Sequence, residues 1–171
     1  MVHWNEDCGS LRSVRFLVDF RYGENDHKTS TKIMSTQQIT ISTSVAAPVE
    51  KAWNAYTTPT GIMSWNFASN DWHCPSAEVD LRVGGKHKAR MAAKDGSFSF
   101  DFEAEYSEIV PNKVLALVMT DGRRARTTFE QQGAATVVTT VFDAEAQNSI
   151  DLQHSGWQAI LDNFKRYVER L

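Results

Sequence analysis

The dipeptide Asp95-Gly96 joins two stretches in which charged and apolar residues alternate, residues 86–93 and 97–109. Asp-Gly is favoured in two-residue hairpin loops, where the turn needs positive φ angles that few other pairs accept. With that loop, Lys94 faces Ser97, and each outward step adds one cross-strand pair. Arg90 then opposes Asp101, Lys88 opposes Glu103 and Lys86 opposes Glu105. On the other face Met91 meets Phe100, Ala89 meets Phe102 and His87 meets Ala104. Opposite charges on one face and apolar pairs on the other support a single register. A slip of one residue would set the phenylalanines against the basic side chains. The hairpin therefore has a wet face and a dry face, and the dry face needs a cover. Asp101, Glu103 and Glu105 read as the solvent side of a strand, neutralised across the ladder. A catalytic or metal-binding carboxylate row would need a cleft instead.

The cover is at the end of the chain. Residues 148–171 read as one long amphipathic helix. Ile150, His154, Trp157, Leu161, Phe164, Val168 and Leu171 recur at helical spacing, and Asp151, Gln158, Asp162, Lys165, Arg166, Glu169 and Arg170 fall on the opposite face. Asn148 is placed to cap the start, with Asp151 acidic in the first turn. Gly156 in mid-helix costs about 1 kcal/mol against alanine, which marks close approach or a bordering space.

Between residue 37 and the hairpin the pattern is equally regular. Ile39, Ile41, Thr43 and Val45 alternate with Thr40, Ser42 and Ser44 as in a half-buried strand. Pro48 suits the first turn of a helix whose apolar face is Val49, Ala52, Trp53 and Tyr56. Thr58-Pro59 starts a second short helix carrying Ile62, Met63 and Trp65. Residues 66–75 read as a looser segment, followed by a strand over 77–83 that ends at Gly84-Gly85. Beyond the hairpin, Pro111-Asn112, Asp121-Gly122 and Gln132-Gly133 punctuate strands over 114–119, 124–131 and 136–142. The order is a strand, two short helices, about six antiparallel strands and a long helix, which makes an α+β domain.

Residues 1–33 have no clean period, and 23–32 is a polar tract. They read as a tail or leader, disordered or not native, with a short strand at 14–20 and the domain beginning at Met34 and running to Leu171. Eighteen basic against 21 acidic side chains give a net charge of −3, without the basic excess that nucleic-acid binding needs. No run of about 18 apolar residues is present to span a membrane. Arg12, Arg15 and Asp19 break the first apolar stretch, so no secretory pattern is seen, and Cys8 and Cys74 make no disulfide framework. A reducing cytoplasm is the expected setting.

Val45-Ala46-Ala47-Pro48-Val49-Glu50-Lys51-Ala52-Trp53 resembles the opening strand-to-helix passage of the START-like, or SRPBCC, superfamily. Trp65, Asp80-Leu81-Arg82-Val83-Gly84-Gly85, Glu108-Ile109-Val110-Pro111 and His154-Ser155-Gly156-Trp157 are similar to a subfamily related to the C-terminal domain of heat-shock chaperone ATPase activators. The resemblance spans residues 37–171. It implies a helix-grip fold, in which a curved antiparallel sheet of six to seven strands wraps a long C-terminal helix. It also implies a hydrophobic cavity between them, closed at one end by the two short helices. Such cavities bind lipids, sterols or polyketides, and some relatives are cyclases or hydrolases. A chaperone partner and a homodimer are also within the range of such relatives. The long N-terminal domain of the true co-chaperones has no counterpart in these residues, which weighs against that role.

The cavity wall then draws on the dry face of the hairpin and on the final helix. Trp65, His87, Met91, Phe100, Phe102, Phe129, His154, Trp157 and Leu161 are the candidate ligand-binding residues. His154 is the candidate polar group, as donor to a ligand oxygen or, with a partner carboxylate, tyrosine or second histidine, as a general base. The expected ligand is a small hydrophobic molecule, with an enzyme of the cyclase or hydrolase type as the alternative. No cofactor or metal is called for: His73 and Cys74 are adjacent and lack a spaced second pair of ligands. Gly84-Gly85 precedes a strand and not a helix, so it is no phosphate loop. Arg123, Arg124 and Arg126 follow a turn and read as a solvated hairpin tip.

Overall fold

The computed structural model describes residues 37–171. The leader, its short strand and the start at Met34 lie outside the described residues. Strand β1 (Gln38–Val45) leads into helices α1 (Val49–Thr57) and α2 (Pro59–Trp65). Strands β2 (Trp72–Val79), β3 (Lys86–Ala93), β4 (Ser99–Val110), β5 (Val114–Met119), β6 (Arg124–Gln132) and β7 (Ala135–Asp143) follow, and helix α3 (Ile150–Val168) closes the chain. All seven strands form one curled antiparallel sheet in the order β1-β7-β6-β5-β4-β3-β2. This is the α+β helix-grip architecture that the residue pattern and the resemblance imply.

The β3–β4 register is the one the charges demand. Lys86 faces Glu105, Lys88 faces Glu103 and Arg90 faces Asp101, while Met91 faces Phe100 and His87 faces Ala104. Lys88 Nζ lies 3.2 Å from Asp101 and 3.0 Å from Glu103, and Arg90 Nη1 lies 3.1 Å from Asp101. These pairs are solvated and add little stability of their own, so their role is to keep one face wet. Gly96 takes φ 74° at the turn, a conformation that disfavours a side chain.

Strand β2 differs from the expectation. It begins at Trp72 and stops at Val79, so residues 72–75 are strand and 80–85 are loop. Pro75 argues against a strand only where its missing N–H would be needed. Here β2 is an edge strand, and its pairing with β3 shifts between His73 and Ser76, so the proline sits at an irregularity. The loop that follows is tight: a Cβ on Gly85 would stand 2.0 Å from the carbonyl oxygen of Asp80.

Helix α3 is also turned relative to the expected stripe. Its buried residues are Gln153, Gly156, Leu161, Phe164 and Val168, with Ile150, Trp157, Ile160 and Tyr167 packed beside them. His154 and Leu171 are exposed. The series 150, 153, 157, 160 fits a 3.6-residue period as well as 150, 154, 157, 161, and a reading by apolarity passes over a buried glutamine. Gln153 is buried because it serves the β7–α3 loop. Its amide donates to the carbonyls of Glu145 (3.1 Å) and Asn148 (2.9 Å) and accepts from the Glu145 N–H (2.9 Å). The helix is capped by Ser149, whose hydroxyl accepts from the Leu152 N–H, rather than by Asn148.

The polar face of α3 reaches the sheet edge. Gln158 donates to the Ser42 carbonyl at 3.2 Å and Lys165 to the Ser44 carbonyl at 2.7 Å, and Glu169 accepts from the Ala46 N–H at 2.8 Å. These side chains stand where an eighth strand would pair with β1. Helix α2 packs against β2 at the other end of the sheet.

The neighbours Gln153 and His154 give a sharp contrast. Gln153→Ala should lower unfolding stability by about 2–4 kcal/mol, because it strands buried backbone groups. His154→Ala should change it by no more than about 0.5 kcal/mol. Urea denaturation of both variants measures the difference, and equal effects would contradict the placement of the helix face.

Candidate functional site

Between the concave sheet face and α3 lies a cavity of about 380 Å³. Its floor is the dry face of the sheet: His87 and Met91 of β3, Phe100 and Phe102 of β4, Leu115, Leu117 and Met119 of β5, Ala125 and Thr127 of β6, and Thr140 of β7. Trp157, Ile160 and Leu161 of α3 form the roof, and Tyr56 of α1 and Trp65 of α2 close one side. Sheet curvature makes the space. The strands bend away from a straight helix, and the side chains of one sheet face point into the gap.

Aromatic contacts hold the roof in place. Trp157 stacks on Phe142 with centroids 4.2 Å apart and planes 16° apart. Tyr56 stacks on Trp65 at 5.0 Å, and Phe164 meets both edge-on at 5.2 and 5.1 Å. The Trp65 indole N–H donates to the Ala55 carbonyl at 2.9 Å, which fixes α2 against α1. Gly61 permits this packing: a Cβ there would lie 2.3 Å from the same carbonyl oxygen.

Two polar stations interrupt the apolar wall. His87 Nδ1 and the Tyr106 hydroxyl are 3.0 Å apart, both residues being buried. Burial pushes the imidazole down to about 4 and pushes the Tyr106 phenol up. The second station is a chain of hydroxyls, Tyr56 to Thr127 at 3.3 Å and Thr127 to Thr140 at 2.8 Å. Burial raises the Tyr56 phenol against the opposing effect of Thr127 and Thr140. The charged residues at the border are already paired. Arg123 Nε lies 2.5 Å from Asp121, and the carboxylates of Asp101 and Glu103 are held by Lys88.

Of the residues expected from sequence, Trp65, His87, Met91, Phe100, Phe102, Trp157 and Leu161 come together around the cavity. Phe129 and His154 do not. Phe129 belongs to the core, edge-on to Trp53 and Tyr56 at 5.3 Å each. His154 is exposed, and no described residue bonds to it. The buried histidine is His87. Its partner Tyr106 went unnoticed in the sequence, although it lies two places beyond Ala104, which faces His87. On one face of a ladder that diagonal position is within reach. Thr127 and Thr140 face one another because the hairpin loop is Gly133-Ala134, one step beyond the Gln132-Gly133 turn read from the residues, which would have set Thr127 against Val138. Cys74 is buried with a free thiol pushed up to about 11 by burial, and among the described residues no group of three potential ligands could hold a metal.

A seven-stranded sheet gripping a C-terminal helix, with two short helices after the first strand, defines a START-like, or SRPBCC, protein. Residues 46–169 match the family described as Activator of Hsp90 ATPase homolog 1-like protein, and the chain belongs to that family. The AHSA1-like protein of Aeromonas hydrophila is 42% identical, with a TM-score of 0.75 over 78% of this chain and 93% of that one. Protein Chr148 of Cytophaga hutchinsonii is 44% identical, with a TM-score of 0.68 over 78% and 92%. CalU16 of Micromonospora echinospora, at 19% identity and a TM-score of 0.58 over 77% and 75%, shares the fold alone. Among curated proteins none matches. No helix of the described residues is long and apolar enough to cross a membrane.

Acid unfolding tests the buried imidazole. In the unfolded chain His87 takes up a proton near its ordinary value of 6.5, whereas the folded ring resists until about 4. The unfolded state thus binds more protons in that window, so stability falls as pH drops from about 6.5 to about 4 and is level above it. The loss attributable to His87 should be on the order of 3 kcal/mol. As pH drops through that range the wild-type denaturant midpoint should fall relative to that of His87→Phe, and parallel profiles would contradict the buried neutral imidazole.

Proposed function

We propose that this domain binds a small hydrophobic molecule in the cavity between the sheet and α3. The observation that carries the reading is the composition of the wall. About 380 Å³ is lined mainly by aromatic, aliphatic and methionine side chains with a few convergent polar groups, the pattern of a small-molecule site. Met91 and Met119 give the wall adaptability. The family's name refers to a chaperone activator, whereas the cavity is a property of this chain, and the ligand reading follows from the latter. An enzyme built on His154 loses its basis with that residue exposed and unpartnered among the described residues. A reducing cytoplasm suits the free thiol of Cys74.

Thermal unfolding against a library of apolar compounds tests the reading. Binders at 100 times their Kd should stabilise the fold by about 2.7 kcal/mol. Trp157→Ala removes the roof and should weaken the same compounds at least about tenfold. Met91→Trp fills the space and should abolish the shift while the protein still unfolds cooperatively. Shifts that survive both substitutions would place binding elsewhere.

A further inference from the structure

The two polar stations differ in what they can offer a ligand, and the difference follows from counting protons. Neutral His87 and Tyr106 together carry two, one on the imidazole and one on the phenol. The single bond between them uses one. If the imidazole donated from Nδ1, the phenolic proton would be left inside the core, where Tyr106 is fully buried and has no other hydrogen-bond partner among the described residues. An unmade bond there costs about 1–3 kcal/mol. The phenol therefore donates to Nδ1, and the remaining proton sits on Nε2. His87 borders the cavity and Tyr106 does not, and Nε2 is not among the buried side-chain atoms left without a partner, so it is the ring nitrogen a ligand can reach. Burial keeps the ring uncharged at neutral pH.

The hydroxyls of Tyr56, Thr127 and Thr140 lie within reach of one another, and none is tied to a fixed acceptor. Each hydroxyl can reverse, so this station gives or takes as a ligand requires and discriminates little. The Nε2–H group cannot reverse without stranding the phenol.

We propose that the cavity selects uncharged apolar molecules bearing an acceptor oxygen, such as a ketone or ester carbonyl, which takes the Nε2–H of His87. The proposal rests on the binding role given above and assigns its specificity. A carboxylate would enter without a counter-charge, since Arg123 is engaged by Asp121. A hydrocarbon would leave the Nε2–H unpaired.

Three probes of one shape decide the matter: 2-acetylnaphthalene, 2-ethylnaphthalene and 2-naphthoate, titrated at pH 7.5 by quenching of tryptophan fluorescence. The ketone should bind about tenfold more tightly than the ethyl compound, the size of one well-made neutral hydrogen bond. The carboxylate should bind more weakly than the ketone. The ketone's carbonyl stretch should fall in frequency on binding, as read by infrared difference spectroscopy. His87→Phe should bring the ketone down to the affinity of the ethyl compound and abolish the frequency shift. His87→Gln, which keeps an N–H donor, should retain part of both. The wild-type spectrum needs no variant, so it decides even where His87→Phe unfolds. Equal binding of ketone and hydrocarbon with an unshifted carbonyl overturns the assignment and leaves an apolar pocket. Tightest binding by the carboxylate overturns it in favour of a charged site. Failure of all three probes to bind removes the binding role itself.

Discussion

Three charge pairs on the outside of one hairpin decide what lies on the inside of the sheet. Lys86, Lys88 and Arg90 can meet Glu105, Glu103 and Asp101 only if His87, Ala89 and Met91 turn the other way. Each pair adds little energy of its own, because both partners remain in water. Their weight is in exclusion: the alternative register would bury three cations against phenylalanines. The dry face so defined needs a cover, and α3 supplies it. A curled sheet and a straight helix cannot touch along their whole length, so a space remains. The aromatic contacts of Trp157, Phe142, Tyr56, Trp65 and Phe164 set its boundary.

The periodic parts of the molecule were legible in the residues. The order of elements along the chain and the β3–β4 pairing follow from alternation and from Asp-Gly chemistry, and the structure reproduces them. What was illegible depends on tertiary partners. Residues 72–75 read as part of a looser segment, because the place of Pro75 at a sheet edge is invisible in one dimension. His154 took the place of Gln153 because glutamine is polar by type, whereas this glutamine is buried with its bonds made to a loop. Phe129 shares a face of β6 with Thr127, yet α1 reaches over and claims it for the core. The register that placed His87 also contained Tyr106, one diagonal step away; a phenol at that spacing announces nothing until a ring is seen beside it.

The polar content of the cavity is small and neutral throughout. Charged side chains near its border are spent on one another, and the titratable groups inside are held by burial in their uncharged forms. Such a lining offers direction without charge. Apolar surface supplies affinity, in proportion to area removed from water, and a few fixed dipoles set orientation.

The side chains that α3 lays along β1 have a meaning beyond holding the helix. An open sheet presents two unpaired edges, each a template on which another chain's strand can add. At β1 the outward carbonyls of Ser42 and Ser44 are already occupied by Gln158 and Lys165. At β2 the ladder is broken beside Pro75, and α2 packs against the strand. The same helix that roofs the cavity thus also guards the sheet against growth from one end. Loosening α3 would expose a sticky backbone as well as an apolar face, so opening the pocket and resisting aggregation are coupled through a single element.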